Sequence, residues 1–168
     1  QYSLSLPDLI NPPSPKEWLR RGFDPDRRAS EQVFADAMRY VEAHPGADIT
    51  SILQKHYAGR SIDEPLTEPR SPAERAQDLC YKAFACYGRR RVQLAREALR
   101  LDPDCTDAHV LLAEQSGTAQ DELAHYQRGV EAATRTLGKA PFIENLGEFW
   151  NYFPTRPYMR ARFGLAQS

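Results

Sequence analysis

No stretch of this chain approaches the ~18 apolar residues that a membrane-crossing helix requires, so no such span is expected. Cysteine is scarce. Cys80, Cys86 and Cys105 are odd in number and fall inside or at the start of predicted helices, which argues against a disulfide framework. A reduced, cytoplasmic chain with buried thiols is the expectation. Val, Ile and Thr never alternate with polar residues over a strand length, so no sheet is expected. Charge of one sign is also lacking: the net charge is −1, which gives no global field to draw in nucleic acid or an anionic membrane. Catalytic signatures are missing as well, with no Gly-x-Ser-x-Gly, no Gly-rich phosphate loop and no His-Glu-x-x-His. Carboxylate neighbours such as Asp121 and Glu122 read as helix surface. The expectation is a protein that is not an enzyme and carries no cofactor or metal.

What is present is helical punctuation. Residues 1–28 form a Pro-rich arm and short helix, with Pro7, Pro12, Pro13 and Pro15 interleaved with Leu4, Leu6, Leu9 and Ile10, and with Trp18 and Leu19 as anchors. Residues 29–70 carry a helical pair and a linker. Val33, Phe34, Ala37, Met38, Tyr40 and Val41 recur at helical spacing from a start near Ser30, and His44-Pro45-Gly46 ends that run. A second helix from about Asp48 or Thr50 ends at Ala58-Gly59, and residues 60–70 are polar with two prolines. Residues 71–168 then read as repeated helical hairpins. Ser71-Pro72-Ala73-Glu74 is a capping box with Pro at the first helical position. One amphipathic helix follows through Phe84 and is broken at Gly88, the next carries Val92, Leu94, Ala95, Ala98, Leu99 and Leu101 up to Asp102-Pro103, and a third is capped by Asp104 or Thr106. Ser116-Gly117-Thr118 is a turn before a longer helix to Gly138. Residues 139–157 are aromatic and irregular, and a last helix spans Tyr158 to Ala166.

The unit Ser71–Pro103 has close to the tetratricopeptide period, and Ala98-Leu99-x-Leu101-x-Pro103 resembles that repeat's second-helix ending. The first-helix Trp-x-x-Leu-Gly pattern is missing. Three segments together are similar to a group of poorly characterised bacterial tetratricopeptide-repeat proteins. They are Gly88-Arg-Arg-Arg91, Leu101-Asp-Pro-Asp-Cys-Thr-Asp-Ala-His-Val-Leu-Leu-Ala-Glu114, and Phe149-Trp150 with Thr155-Arg-Pro-Tyr-Met-Arg-Ala-Arg162. Val110-Leu-Leu-Ala-Glu114 is also faintly similar to the suppressor-of-tumorigenicity-7 family. The resemblance covers about residues 71–168. It implies an all-α fold, an α–α superhelix of tetratricopeptide-like hairpins with an extended N-terminal arm, in which further repeats would follow. It transfers no catalytic residue.

Such hairpins generally bind other proteins. The expected function is a scaffold, adaptor or assembly subunit that takes a peptide or partner helix in a concave groove. The first helices Ala76–Phe84 and Ala108–Glu114 would line it, with Gln77, Tyr81, His109 and Glu114 as contacts. Three further features bear on partners. Arg89, Arg90 and Arg91 sit at a helix start, where positive charge opposes the helix dipole. They suit a phosphate or acidic peptide, although such runs are commonly solvated, and a nucleic-acid or other polyanion accessory role is the alternative reading. Trp150, Arg156, Tyr158 and Arg160 belong to an aromatic-plus-Arg segment that is either a core plug or a binding surface. Phe163, with Tyr158 and Met159, gives the last helix an apolar face, so self-association through that helix or the N-terminal arm is expected. Cys105, His109 and His125 have partial metal-ligand spacing, but nothing supplies a fourth ligand; the expectation is a half-buried Cys and a surface His.

Overall fold

The computed structural model describes residues 25–57 and 64–168. It is all-helical, and among the described residues there is no strand. The N-terminal arm, with Leu4, Leu6, Leu9, Ile10, Trp18 and Leu19, lies outside the described residues, as does the Ala58-Gly59 helix end.

Helix α1 spans Pro25–Ala43 and α2 spans Ile49–Tyr57. α1 begins at Pro25 rather than near Ser30. Proline is tolerated at the first helical position because its missing N–H would be unpaired there anyway. Asp48 caps α2, accepting from the Thr50 and Ser51 amides at 3.2 and 3.0 Å. α3 covers Pro72–Phe84, and its capping box is closed in both directions, between the Ser71 hydroxyl and the Glu74 carboxylate. α4 covers Gly88–Leu101. The residue expected to break a helix, Gly88, opens one, with φ +51° in the left-handed region that favours glycine. α5 is Thr106–Glu114 and α6 is Ala119–Leu137, capped by Thr118. The segment expected to be irregular contains a short helix α7, Ala140–Glu144, and a 3-10 turn, Phe153–Thr155. α8 is Arg156–Gln167.

Consecutive helices pack as hairpins, α1 on α2, α3 on α4 and α5 on α6, because their connections are too short for anything but neighbours. α5 is the centre. It packs on α3, α4, α6 and α8, and all nine of its residues are buried. One cluster joins α3, α4 and the inner face of α5 through Cys80, Phe84, Leu94, Ala98 and Leu111. A second joins α5, α6 and α8 through Val110, Ala113, Tyr126 and Ala161. Burying a Leu or Val this fully contributes about 1.5–3 kcal/mol each. Small residues bring α8 close: a Cβ added at Gly164 would overlap the Tyr126 ring, and one at Gly129 would lie 3.3 Å from the Ala161 Cβ.

Candidate functional site

A nine-residue helix that is buried all round should be apolar, yet α5 carries Asp107, His109 and Glu114 inside. A buried charge is tolerated only when paired and hydrogen-bonded, and each of these carboxylates dictates a partner from elsewhere in the chain. Asp107 accepts from Arg160 of α8 twice, Nε to Oδ1 at 2.8 Å and an Nη to Oδ2 at 2.6 Å. The other side of the same guanidinium meets Glu31 of α1 at 2.7 and 2.9 Å. Gln77 of α3 donates to Asp107 at 2.8 Å, and Arg156 stands 3.7 Å from Glu31. Two carboxylates thus face two guanidinium groups, and four helices meet on one ionic cluster. Burial alone would disfavour the Arg160 cation, but Asp107 and Glu31 outweigh it and push the group's pKa further up. Burial pushes the Glu31 carboxyl up, against the downward pull of Arg160. The Arg160 guanidinium also lies 5.8 Å from the Phe84 ring centroid.

Glu114 has its own partner. Arg91 reaches it at 3.4 Å and donates from Nε to the Ala83 carbonyl at 3.2 Å and from an Nη to the Phe84 carbonyl at 3.4 Å. Those carbonyls end α3, where the helix has no glycine cap and carries the negative end of its dipole. The third residue of the Arg89-Arg90-Arg91 run is therefore an internal cap for the preceding helix.

The aromatic segment divides its residues between two sides. Phe142 and Phe149 each meet Tyr158 edge to face, with centroids 5.1 and 5.8 Å apart, and lie tilted to each other at 5.2 Å. Phe153 stacks on Phe34 of α1 at 4.4 Å, and Arg156 lies over Phe153 at 4.0 Å while its Nε donates to the Trp150 carbonyl at 2.8 Å. Thr155 is fully buried and its hydroxyl donates to the Phe149 and Tyr152 carbonyls. The outward residues are Ile143 at 72% exposure, Leu146 at 79%, Trp150 at 51% and Tyr152 at 45%.

The residues expected to line a concave groove lie inside instead. Tyr81, His109 and Glu114 are buried and Gln77 is half-buried against Asp107, because α1 packs on α3 and α8 covers α5. His109 is not a surface residue, and Cys105 is buried rather than half-buried. His109 Nε2 lies 3.3 Å from the Pro103 carbonyl, and burial holds the pKa of His109, like that of its neighbour His125, below the ordinary histidine value. Their ring centroids are 6.0 Å apart, and no group of three potential ligands converges on a metal position among the described residues. Arg91 and Arg160 are buried, Arg156 and Tyr158 half-buried, and Arg89, Arg90, Trp150 and Phe163 exposed. The face of α8 is partly covered: Arg160, Ala161 and Gly164 turn inward, and Phe163 remains in solvent. Glu31 and Asp107 went unread in the sequence. Asp107 could have been found as a carboxylate inside an otherwise apolar run; Glu31, 129 positions from Arg160, left no local signal.

The chain matches no protein-family model, and no curated protein or solved structure matches it significantly. No helix among the described residues is long and apolar enough to cross a membrane.

Proposed function

We propose that this chain is a protein-interaction module, a scaffold, adaptor or assembly subunit built as a tetratricopeptide-like superhelix, and not an enzyme. Its working surface is the outward side of the aromatic segment rather than a groove between first helices. The single observation that carries the reading is the concentration of Ile143, Leu146, Trp150 and Tyr152 in solvent within one short segment. Large exposed apolar groups gathered together mark association sites, and Trp and Tyr supply interface hot spots. The inward residues Phe142, Phe149 and Phe153 hold the segment against α8 and α1, so a partner meets a pre-ordered surface and less ordering entropy opposes binding. The partner is a protein or peptide with a complementary apolar face, or a second copy of this chain joined through this segment and Phe163. Three unpaired thiols suit the cytoplasm as its setting.

A photo-crosslinking amino acid placed at Leu146 tests this. Crosslinked product is expected from cell extract or from the purified chain itself, and Ile143→Lys with Trp150→Ala abolishes it while the circular dichroism spectrum stays unchanged. Equal crosslinking in wild type and variant, or none in either, refutes the reading.

A second reading, contact with a polyanion, is favoured by one feature. Arg89, Arg96 and Arg100 line, with Val92, a groove of about 660 Å³ along α4, and have no carboxylate partner among the described residues. Phosphate contacts release counterions and give a steep salt dependence. Binding of the chain to heparin or single-stranded DNA that weakens steeply with salt and vanishes in Arg96→Gln/Arg100→Gln would establish it.

A further inference from the structure

The interaction reading makes no use of the thiols of Cys80 and Cys105. Cys80 lies in α3 with no exposed surface, and Cys105 is the residue at the start of α5, 5% exposed. Their sulfurs stand 3.5 Å apart. A disulfide has its sulfurs about 2.05 Å apart, so bond formation asks them to close by about 1.5 Å. The two residues differ in access. Cys105 lines a cavity of about 290 Å³ bounded by α3, the start of α5, the end of α6 and Pro157-Tyr158, whereas Cys80 is not among its lining residues. Cys105 is the N-cap residue of α5, and its sulfur makes no cap hydrogen bond. Burial pushes the Cys80 thiol well up.

From this juxtaposition we propose that Cys105 is a peroxide-oxidised site and Cys80 its resolving thiol, together forming a reversible intramolecular disulfide between α3 and the start of α5. The Cys105 thiolate attacks one oxygen of a hydroperoxide. The O–O bond breaks, the departing oxygen leaves as water or alcohol after taking a proton, and Cys105 becomes a sulfenic acid. The Cys80 sulfur then attacks the Cys105 sulfur and loses its proton, the sulfenic hydroxyl leaves as water, and the S–S bond forms. Two electrons pass to the peroxide. A dithiol reductant reverses the change by thiol–disulfide exchange.

The cavity selects the oxidant class. A peroxide is close in size to water, which occupies about 30 Å³, and several such molecules fit. Glu74, Asp102 and Asp104 also line the cavity. They repel a large anionic oxidant such as glutathione disulfide and leave a small neutral one unaffected. Because Cys105 is two residues from Asp107 and Cys80 three from Gln77, the new bond would run beside the Gln77–Asp107 hydrogen bond, which leads to Arg160 and α8. The proposal does not depend on the interaction reading.

The test treats the reduced full chain with hydrogen peroxide, alkylates the remaining thiols, and reads intact mass and cross-linked peptides. The expected product has lost two hydrogens, joins Cys80 to Cys105, leaves Cys86 alkylatable, and reopens with dithiothreitol. In Cys80→Ser, Cys105 is expected to be trapped as its sulfenic acid by dimedone; in Cys105→Ser, Cys80 is expected to resist peroxide. Preferential oxidation of Cys86, or sulfinic acid at Cys105 of the wild type without the cross-link, overturns the pairing. Faster closure by glutathione disulfide than by an equal concentration of hydrogen peroxide overturns the assignment of the oxidant.

Discussion

Replacing Arg160 by methionine removes the cation that bridges α1, α5 and α8 while roughly keeping its bulk. Four charge-assisted hydrogen bonds of 2.6–2.9 Å are lost together. Two buried carboxylates are stranded, Asp107 keeping the Gln77 amide and Glu31 keeping Arg156 at 3.7 Å. Breaking one side of a buried ion pair costs about 3–5 kcal/mol, much of it the penalty of an uncompensated charge. With a urea dependence of about 2 kcal/mol per molar, the unfolding midpoint falls by about 1.5–2.5 M. Two signatures separate this from lost packing. The triple variant Glu31→Gln, Asp107→Asn, Arg160→Met recovers most of the deficit, since neutral residues in place of a buried ionic group are often no less stable. The single variant's deficit also shrinks on acidification. Burial already pushes the Glu31 carboxyl up against the pull of Arg160; without that cation its folded-state value lies above that of the unfolded chain, so the folded state binds more protons and gains stability as pH falls through that window. A loss below about 1 kcal/mol, or a triple variant no more stable than the single one, would refute the view that this cluster holds the helices together.

Gly164→Ala is expected to destabilise by about 1–3 kcal/mol, because the new methyl group meets the rigid Tyr126 ring, and Gly129→Ala less; thermal midpoints compare the two. Leu111→Ala should cost about 2–5 kcal/mol in a denaturant titration, and Leu99→Ala visibly less, since Leu111 is fully buried and Leu99 only half-buried. Burial holds the pKa values of His109 and His125 below 6.5, so under acid the unfolded chain binds more protons than the fold. Stability is therefore full above about pH 6.5 and declines below it, and His109→Asn should flatten urea midpoints measured on either side of that value.

What could be read from the sequence was local. Ser71, Pro72 and Glu74 announce a helix start through chemistry contained in four residues, and the box formed as read. The 3.6-residue spacing of Leu94, Ala98 and their neighbours likewise needs no tertiary knowledge. The all-helical class followed from such signals. What escaped was the destination of polar side chains. Spacing places Tyr81, His109 and Glu114 on first helices but says nothing of α8 lying over α5 or α1 against α3. Arg91 looked like part of a charged surface run because its targets, two carbonyls and Glu114, are brought near only by the helix turn at Gly88. The aromatic segment carried both of its readings because inward Phe149 and outward Trp150 are adjacent in the chain.

The Glu31–Arg160 contact also has a consequence for biosynthesis. In a linear array of repeats each unit settles on the one just made. Here Glu31 awaits its partner for the making of 129 further residues. At about 5–20 residues per second, that is an interval of roughly 6–26 s. During it Glu31, and for a shorter time Asp107, have no guanidinium to meet, and their dehydration is unfavourable. The early hairpins can form at the ribosome, but α1 is held back from its final seat until α8 emerges, which leaves this stretch of the nascent chain open to chaperones for that interval.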